Sequence, residues 1–506
     1  MAGRTIEGKT IKGSVWEQAD VCVIGSGAGG AVVAKELAEK GLKVVVLEEG
    51  GNYGSKDFPR SILDSFNKLY RNQGLDTTLG VPAIVLPTGK CLGGTTVINM
   101  GTCFRLPEYT HKKWDDLGIK GYSAKDLAPY YDQVEKIMNV GPVSPEVMGR
   151  NGEIIAEGAN KLGLHPTPIL RNVNERCKGC CNCSYGCRED AKGSMILNYL
   201  PRAVELGAQI YCDAKAEFIV HDKEKVMGVT GSIRDRESGA FRHFIEVAAD
   251  VVVVCAGALN SPLLLLKSEI CNSSGQVGKN LKLHLCGRAI GVFDQFIDGH
   301  HGVGQSLYID DYSELGIMLE ATFTGPASEF PGLNGFGKEF WDHLKEYRRL
   351  ASIGVMVSDT SIGKVSVGLD SEPMVTYNMN QRDAEALKKG MLISARIMFA
   401  VGAKQVLTTT SCFPRINNLV EVEKFQDVKV EPGNFLVMAF HPMGTCRMGV
   451  DPKKSVVSPD LETWDMKNLY LADASVFPGS LGVNPQETIW AFATRCAENI
   501  VKNVRS

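Results

Sequence analysis

A glycine-rich turn, Gly25-Ser26-Gly27-Ala28-Gly29-Gly30, lies between two short apolar runs, and no other part of the chain constrains the fold as much. The run before it is Ala19-Asp20-Val21-Cys22-Val23-Ile24, and the run after it is Lys43-Val44-Val45-Val46-Leu47-Glu48. Between them, Ala31 to Lys40 has helix-forming composition. Strand, helix and strand in that order make a βαβ unit, which requires a parallel sheet covered by helices. Gly25 permits the tight turn, Gly27 the close approach of backbone to a pyrophosphate, and Gly30 the packing of helix on strand. Ala28 opens the helix, whose first N–H groups favour phosphate. Glu48 follows at about 20 residues, where an acid binds a ribose 2′-OH. An α/β fold with a Rossmann-like dinucleotide domain is expected.

With 506 residues the chain is too long for one ordinary core, so a second domain is expected. Its 44% hydrophobic and 22% charged residues are those of a globular protein. A net charge of −3, without a block of Lys or Arg, argues against nucleic acid or an anionic membrane as main partner. Residues 1–18 are polar and lack an apolar h-region, so no signal peptide is expected. The most apolar stretch, Ala248 to Leu266, is broken by Asp250 and by Asn260-Ser261-Pro262. It reads as a buried strand, a turn and a helix capped at Asn260, not as an integral membrane segment. Fifteen cysteines without a secretory signal favour a reducing, cytoplasmic location.

Further motifs carry chemistry. Gly89 to Asn99 is a second glycine-rich turn, in which Gly93-Gly94 lets backbone approach a flat or phosphorylated ligand. From Leu281 to Ala439, β-like segments alternate with polar turns and look like a separate sheet domain. Near the C-terminus stands His441-Pro442-Met443-Gly444-Thr445-Cys446-Arg447-Met448-Gly449, and Asn484-Pro485-Gln486-Glu487-Thr488 follows 43 residues after His441. His441 supplies an imidazole that can take a proton near neutral pH. Asn484 supplies an amide that does not titrate but can hold the same substrate oxygen. Asn484 also reads as the N-cap of a helix, with Pro485 at its first position and Glu487 at its third.

These pieces together resemble the glucose–methanol–choline family of FAD oxidoreductases, across nearly the whole chain and in the family's order. The resemblance rests on Gly25 to Gly30 with Glu48, Gly93-Gly94-Thr95-Thr96 through Asn99, Gly257 to Pro262, Gln276 through His284, the His441 segment, Ala472 to Pro478, and Asn484 to Thr488. It implies an FAD domain assembled from residues 15–105, 188–283 and 441–506. A substrate domain with a largely antiparallel sheet would take 106–187 and 284–440. It further implies FAD contacts at Thr95, Asn99, Ala256, Gly257, Asp473, Ala474, Asn484 and Pro485, with His441 and Asn484 as catalytic residues. Some members link FAD covalently through a His; here that position is Ile98, so non-covalent FAD is expected. The second catalytic position is Asn484 rather than His, so a histidine pair is not expected, and His284 reads as structural. The implied activity is oxidation of an alcohol to a carbonyl by hydride transfer to flavin, with His441 as base. The alternatives are an O₂-using oxidase and a non-redox enzyme like the family's hydroxynitrile lyases.

Five cysteines crowd into Cys177-Lys178-Gly179-Cys180-Cys181-Asn182-Cys183-Ser184-Tyr185-Gly186-Cys187. Cys177, Cys180, Cys183 and Cys187 have the bacterial ferredoxin spacing, with Arg188 in place of the usual Pro and Cys181 as an extra thiol. The expectation is an iron–sulfur cluster, [4Fe-4S] or [3Fe-4S], passing electrons to an acceptor protein. Zinc, or cysteines without metal, are the alternatives. Long-chain alcohol oxidases and iron–sulfur sugar dehydrogenases of the family carry similar stretches.

Overall fold

The computed structural model describes residues 3–325, 333, 335 and 337–505. Two sheets organise it. The first runs Arg4–Ile6, Gln209–Tyr211, Val44–Leu47, Val15–Ile24, Phe241–Val254, Val226–Arg234, Ala214–His221, and Leu469–Leu471 also pairs with Phe241–Val254. Val15–Ile24 lies parallel to both Val44–Leu47 and Phe241–Val254. The fourteen-residue strand Phe241–Val254 changes character along its length. Its first part pairs antiparallel with Val226–Arg234 and alternates buried with exposed residues, while Val251 to Val254 are all buried. A sheet open on one face gives alternation, and a sheet covered on both gives a continuous apolar run. Helix Ala28–Glu39 covers the parallel part, and helix Gln486–Arg505 packs on it.

The helix expected to be capped at Asn260 instead spans Gly257–Lys267 and starts where Gly257 turns at φ +84°. Pro262 lies inside it. A proline removes one helical hydrogen bond, and the carbonyl it would have used, that of Ala258, accepts from the Thr445 hydroxyl at 2.6 Å.

The second sheet runs Arg415–Ile416, Gln405–Thr408, Leu285–Val292, Leu350–Val357, Ile317–Thr322, Gln305–Ile309, Thr167–Pro168, with Val437–Ala439 beside Leu285–Val292. These pairings are antiparallel. Ile84–Val85 crosses over from the first part of the chain and joins this sheet parallel to Val437–Ala439. Helix Gln381–Ala400 backs the sheet with Leu387, Met391 and Met398 buried. Among the described residues no helix is long and apolar enough to cross a membrane.

Candidate active site

A cavity of about 930 Å³ lies where the carboxyl ends of the parallel strands face the second sheet, the usual place for a ligand in a doubly wound fold. Its volume is at the upper end of the range for ligand pockets. The first glycine turn forms one end, with Gly25, Gly27 and Ala28 at the wall. Gly25 has φ +94°, and a Cβ there would collide with the Cys255 carbonyl. Gly30 lies behind the wall, packed on Gly25. Gly27 faces open space.

Glu48 is buried, and its carboxylate accepts from the Ser26 N–H at 3.0 Å, the Ser26 hydroxyl at 2.5 Å and the Gly50 N–H at 2.7 Å. That fills three of the roughly four acceptor sites of a carboxylate and leaves one for a ligand hydroxyl. Burial raises its pKa and these hydrogen bonds pull it back.

Gly94, Thr95, Ile98 and Asn99 border the cavity from the second glycine turn. Gly93 does not; its N–H donates to Ser26 Oγ at 2.9 Å and locks the two turns together. Asn99 Nδ2 donates to Gln486 Oε1 at 2.7 Å. Ala256, Gly257, Asp473 and Ala474 form a third side. The Asp473 carboxylate accepts from the N–H groups of Gly257 and Ser475, both at 2.8 Å, and from the Ser261 hydroxyl at 2.5 Å. It clamps together segments more than 200 residues apart in sequence.

His441, Asn484 and Pro485 stand at another part of the wall. Asn484 Nδ2 lies 3.4 Å from His441 Nε2. The capping role expected of Asn484 is not realised. The last helix begins at Gln486, and the buried Asn484 Oδ1 has no hydrogen-bond partner. His284 does more than expected of a structural residue: its Nδ1 lies 3.2 Å from His441 Nδ1, and its Nε2 accepts from the Gly482 N–H at 3.1 Å. A histidine pair therefore exists, drawn from a position that sequence reasoning set aside. His284 has φ +52°, and Asp359 holds it there by accepting from the N–H groups of Leu283 and His284. Burial, helped by His441, pushes the His284 pKa well below its ordinary value, and burial pushes that of His441 down to about 4.

Two residues at the wall were missed altogether. Glu320, 5% exposed, sits in strand Ile317–Thr322, and its Oε2 accepts from Gln305 Nε2 at 2.8 Å. The Thr102 hydroxyl donates to Gln305 Oε1 at 2.6 Å and so sets the amide's orientation. Glu320 Oε1 has no partner. Burial raises the Glu320 pKa to about 7, with the Asn484 amide working the other way. A lone glutamate inside Ile317-Met318-Leu319-Glu320-Ala321 was the available signal. Much of the remaining wall is apolar and includes Leu63, Phe66, Val85, Met356, Met438 and Phe440.

The cysteine turn differs from expectation. Cys177, Cys180, Cys181, Cys183 and Cys187 share the wall of a second cavity, but it holds only about 20 Å³, room for about one water. Cys183 Sγ accepts from Arg171 Nη2 at 3.1 Å, Cys187 Sγ from the Lys192 N–H at 3.4 Å, and the Cys181 thiol donates to the Phe323 carbonyl at 3.3 Å. Cys180 is exposed. Among the described residues no group of three or more His, Cys, Asp or Glu is placed to hold a metal ion. The iron–sulfur ligand set expected here therefore finds no support among the described residues. Gly179 and Cys181 turn the backbone through positive φ, and Gly179 is tied to Gly302, so successive thiols meet different partners. The turn is nonetheless joined to the large cavity. Buried Lys192 donates through Nζ to the carbonyls of Val97, Asn99 and Cys183 at 2.8, 2.6 and 2.9 Å.

Comparison with known proteins agrees with this architecture. Sequence profiles described as GMC oxidoreductase match residues 66–286 and 361–493, and one described as an NAD(P)-binding Rossmann-like domain matches 23–64. The chain is 37% identical to an uncharacterized GMC-type oxidoreductase of Mycobacterium tuberculosis, over 96% of this chain and 76% of that one. It is 31% identical to a long-chain-alcohol oxidase of Arabidopsis thaliana, over 96% of this chain and 68% of that one. The crystal structure of pyridoxine 4-oxidase from Mesorbium loti matches with a TM-score of 0.71 over 95% of this chain and 98% of that one, at 19% identity, a likeness of fold alone. With two profiles of one family spanning more than half of its residues, the chain belongs to the GMC oxidoreductase family.

Proposed function

We propose that this protein is an FAD-dependent oxidoreductase that converts an alcohol to a carbonyl, with the hydroxyl oxygen seated at His441 and Asn484. The observation that carries this reading is the meeting of His441 Nε2 and the Asn484 amide, 3.4 Å apart, in a cavity that also reaches the glycine turn. The residues present fit FAD. Gly27 leaves open space for a pyrophosphate, and Glu48 keeps one acceptor site for a ribose hydroxyl. When bound, FAD supplies the hydride acceptor. Ile98 at the wall is a hydrocarbon with no atom to bond it covalently, so acid should release the flavin into the supernatant. In this reading residues 15–105, 188–283 and 441–506 carry the cofactor, and 106–187 with 284–440 the substrate.

The hydrogen-bond network bears on the base role expected of His441. His284 Nδ1 and Asn484 Nδ2 hold the two nitrogens of His441, at 3.2 and 3.4 Å, and burial keeps the ring neutral. We read His441 as the acceptor of the substrate hydroxyl proton. Asn484 fixes the oxygen's angle.

The apolar wall favours an aliphatic alcohol over a sugar, in keeping with the relative named a long-chain-alcohol oxidase. That relative also favours O₂ over an acceptor protein as the destination of the electrons. Anaerobic bleaching of the bound flavin against aliphatic alcohols, sterols and sugars tests the reading. Aliphatic alcohols should bleach it, and admitted air should restore the colour with release of peroxide. Failure of every alcohol to bleach the flavin would leave the lyase-like alternative standing.

A further inference from the structure

We infer that the substrate is an aliphatic vicinal diol, its second hydroxyl held by Glu320 and Thr322, an assignment that rests on the alcohol-oxidation reading above. Residues two apart on a strand share a face, and strand Ile317–Thr322 brings Glu320 and Thr322 to the large cavity together. The neighbouring strands put Gln305 in register with Thr322 and Gly354 in register with Glu320, and both also line the cavity. Gln305 is already engaged, since its amide joins Glu320 Oε2 to the Thr102 hydroxyl. Gly354 brings no side chain, and a Cβ there would stand 3.2 Å from Thr322 Oγ1. Glycine inside a strand often marks a place where a ligand approaches the backbone closely. The result is a polar recess in a largely apolar wall.

Two buried oxygens in this recess have no partner, Glu320 Oε1 and Thr322 Oγ1. A ligand that excludes water from them must replace the hydrogen bonds water would make. A methylene makes none. An ammonium donates to the carboxylate but offers the Thr322 hydroxyl no acceptor, and a ligand carboxylate would meet Glu320 with like charge. A hydroxyl donates and accepts at once, and so suits a carboxylate oxygen and a hydroxyl together. The spacing follows from Asn484, whose amide stands beside Glu320 and 3.4 Å from His441 Nε2. One amide group therefore separates the seat of the carbinol oxygen from that of the second oxygen, a span that hydroxyls on adjacent carbons match. The rest of the diol is left to the apolar wall, and His441 remains the proton acceptor.

The test compares two alcohols on one holoenzyme, so that general damage to a variant cancels from the ratio. At about pH 8 the Glu320 carboxyl, which burial raises to about 7, is ionised. The second-order rate of anaerobic flavin reduction by the vicinal diol of n-octanol should exceed that by n-octanol about 10–10²-fold, the worth of a hydrogen bond to a charged group. Glu320→Leu should bring that ratio to about one, with Glu320→Gln and Thr322→Val in between. A second measurement needs no turnover. Pinacol and its monohydroxy analogue share a carbon skeleton, and neither has a carbinol hydrogen to give up. Titrated against the absorbance of the oxidised flavin, pinacol should bind about tenfold more tightly to the parent and no more tightly to Glu320→Leu. A parent ratio near one, equal binding of the inert pair to the parent, or a diol preference that survives in Glu320→Leu would each overturn the subsite. A flavin that neither octanol nor its diol bleaches, with pinacol still preferred, would overturn the function proposed above while upholding the hydroxyl site.

Discussion

At the His441 side of the large cavity, buried polar atoms lack partners: Glu320 Oε1, Thr322 Oγ1 and Asn484 Oδ1. At the cysteine turn, buried polar groups are mostly engaged already. Lys192 has three carbonyls, and Arg171 has the Met100 carbonyl and Cys183, with only its Nη1 unpaired. Both regions announce themselves as motifs, but only the first combines unmet hydrogen-bonding capacity with room for a guest. Spacing in sequence says which groups could meet; leftover donors and acceptors say where a ligand belongs.

The contrast can be broken most severely at His441. His441→Ala should slow flavin reduction by about 10²–10⁴, the usual contribution of a positioned acid–base group. Bound FAD should stay, because the glycine turns are untouched. Wild-type rates in that variant, read by anaerobic stopped flow with a competent alcohol, would remove His441 from the chemistry.

Glu320 sharpens the comparison through stability. Its carboxyl pKa rises from 4.5 to about 7 on folding, so the folded protein binds that proton more tightly than the unfolded chain. Stability is then whole below about pH 4.5 and falls as pH climbs toward 7. Glu320→Gln cannot ionise and should exceed the parent at pH 8 by on the order of 3 kcal/mol in urea melts. At pH 4 the two should coincide; an equal gap at both values would mean that packing, not charge, is responsible.

On the other side, Cys183→Ala removes an acceptor from buried Arg171 and should cost about 1–3 kcal/mol of stability. Flavin reduction should stay within about twofold, since changes away from the reacting groups rarely reach the barrier. Iron and acid-labile sulfide should be at background in both proteins. Stoichiometric iron in the parent, lost in the variant, would erase the difference between the two regions.

The smallest effect is expected at Asn484. Asn484→Ala should slow flavin reduction about tenfold, the worth of one hydrogen bond. Because its amide caps nothing, the melting curve should shift by less than the roughly 1 kcal/mol that a lost N-cap costs. A larger loss of stability would restore the capping role.

What was legible in the sequence was local. The βαβ unit, both glycine turns and the His441 and Asn484 segments are each short runs whose meaning depends on near neighbours. The rest depends on register between distant strands. Glu320 meets Asn484 across 164 positions and His284 meets His441 across 157, and no periodicity within one strand reports such a meeting. The helix start was misplaced by four residues: the cap is Ala256, and Asn260, the expected cap, lies inside the helix, while Ser261 beside it turns inward to Asp473. The surroundings of the cysteines were hidden for a related reason, since Arg171 and Lys192, which reach Cys183 and Cys187, lie outside the motif.

Strand Leu469–Leu471 joins the first sheet beside Val252–Val254, and Asp473 is clamped to Gly257 and Ser261. On a translating ribosome this sets an order of events. The N-terminal βαβ unit can fold as soon as its partner strands emerge, yet the third side of the pocket does not exist until residues past Asp473 have left the exit tunnel. Flavin is therefore acquired as a closing act of biosynthesis, and a nascent chain stalled before that point would hold a finished phosphate cradle with nothing to shut it.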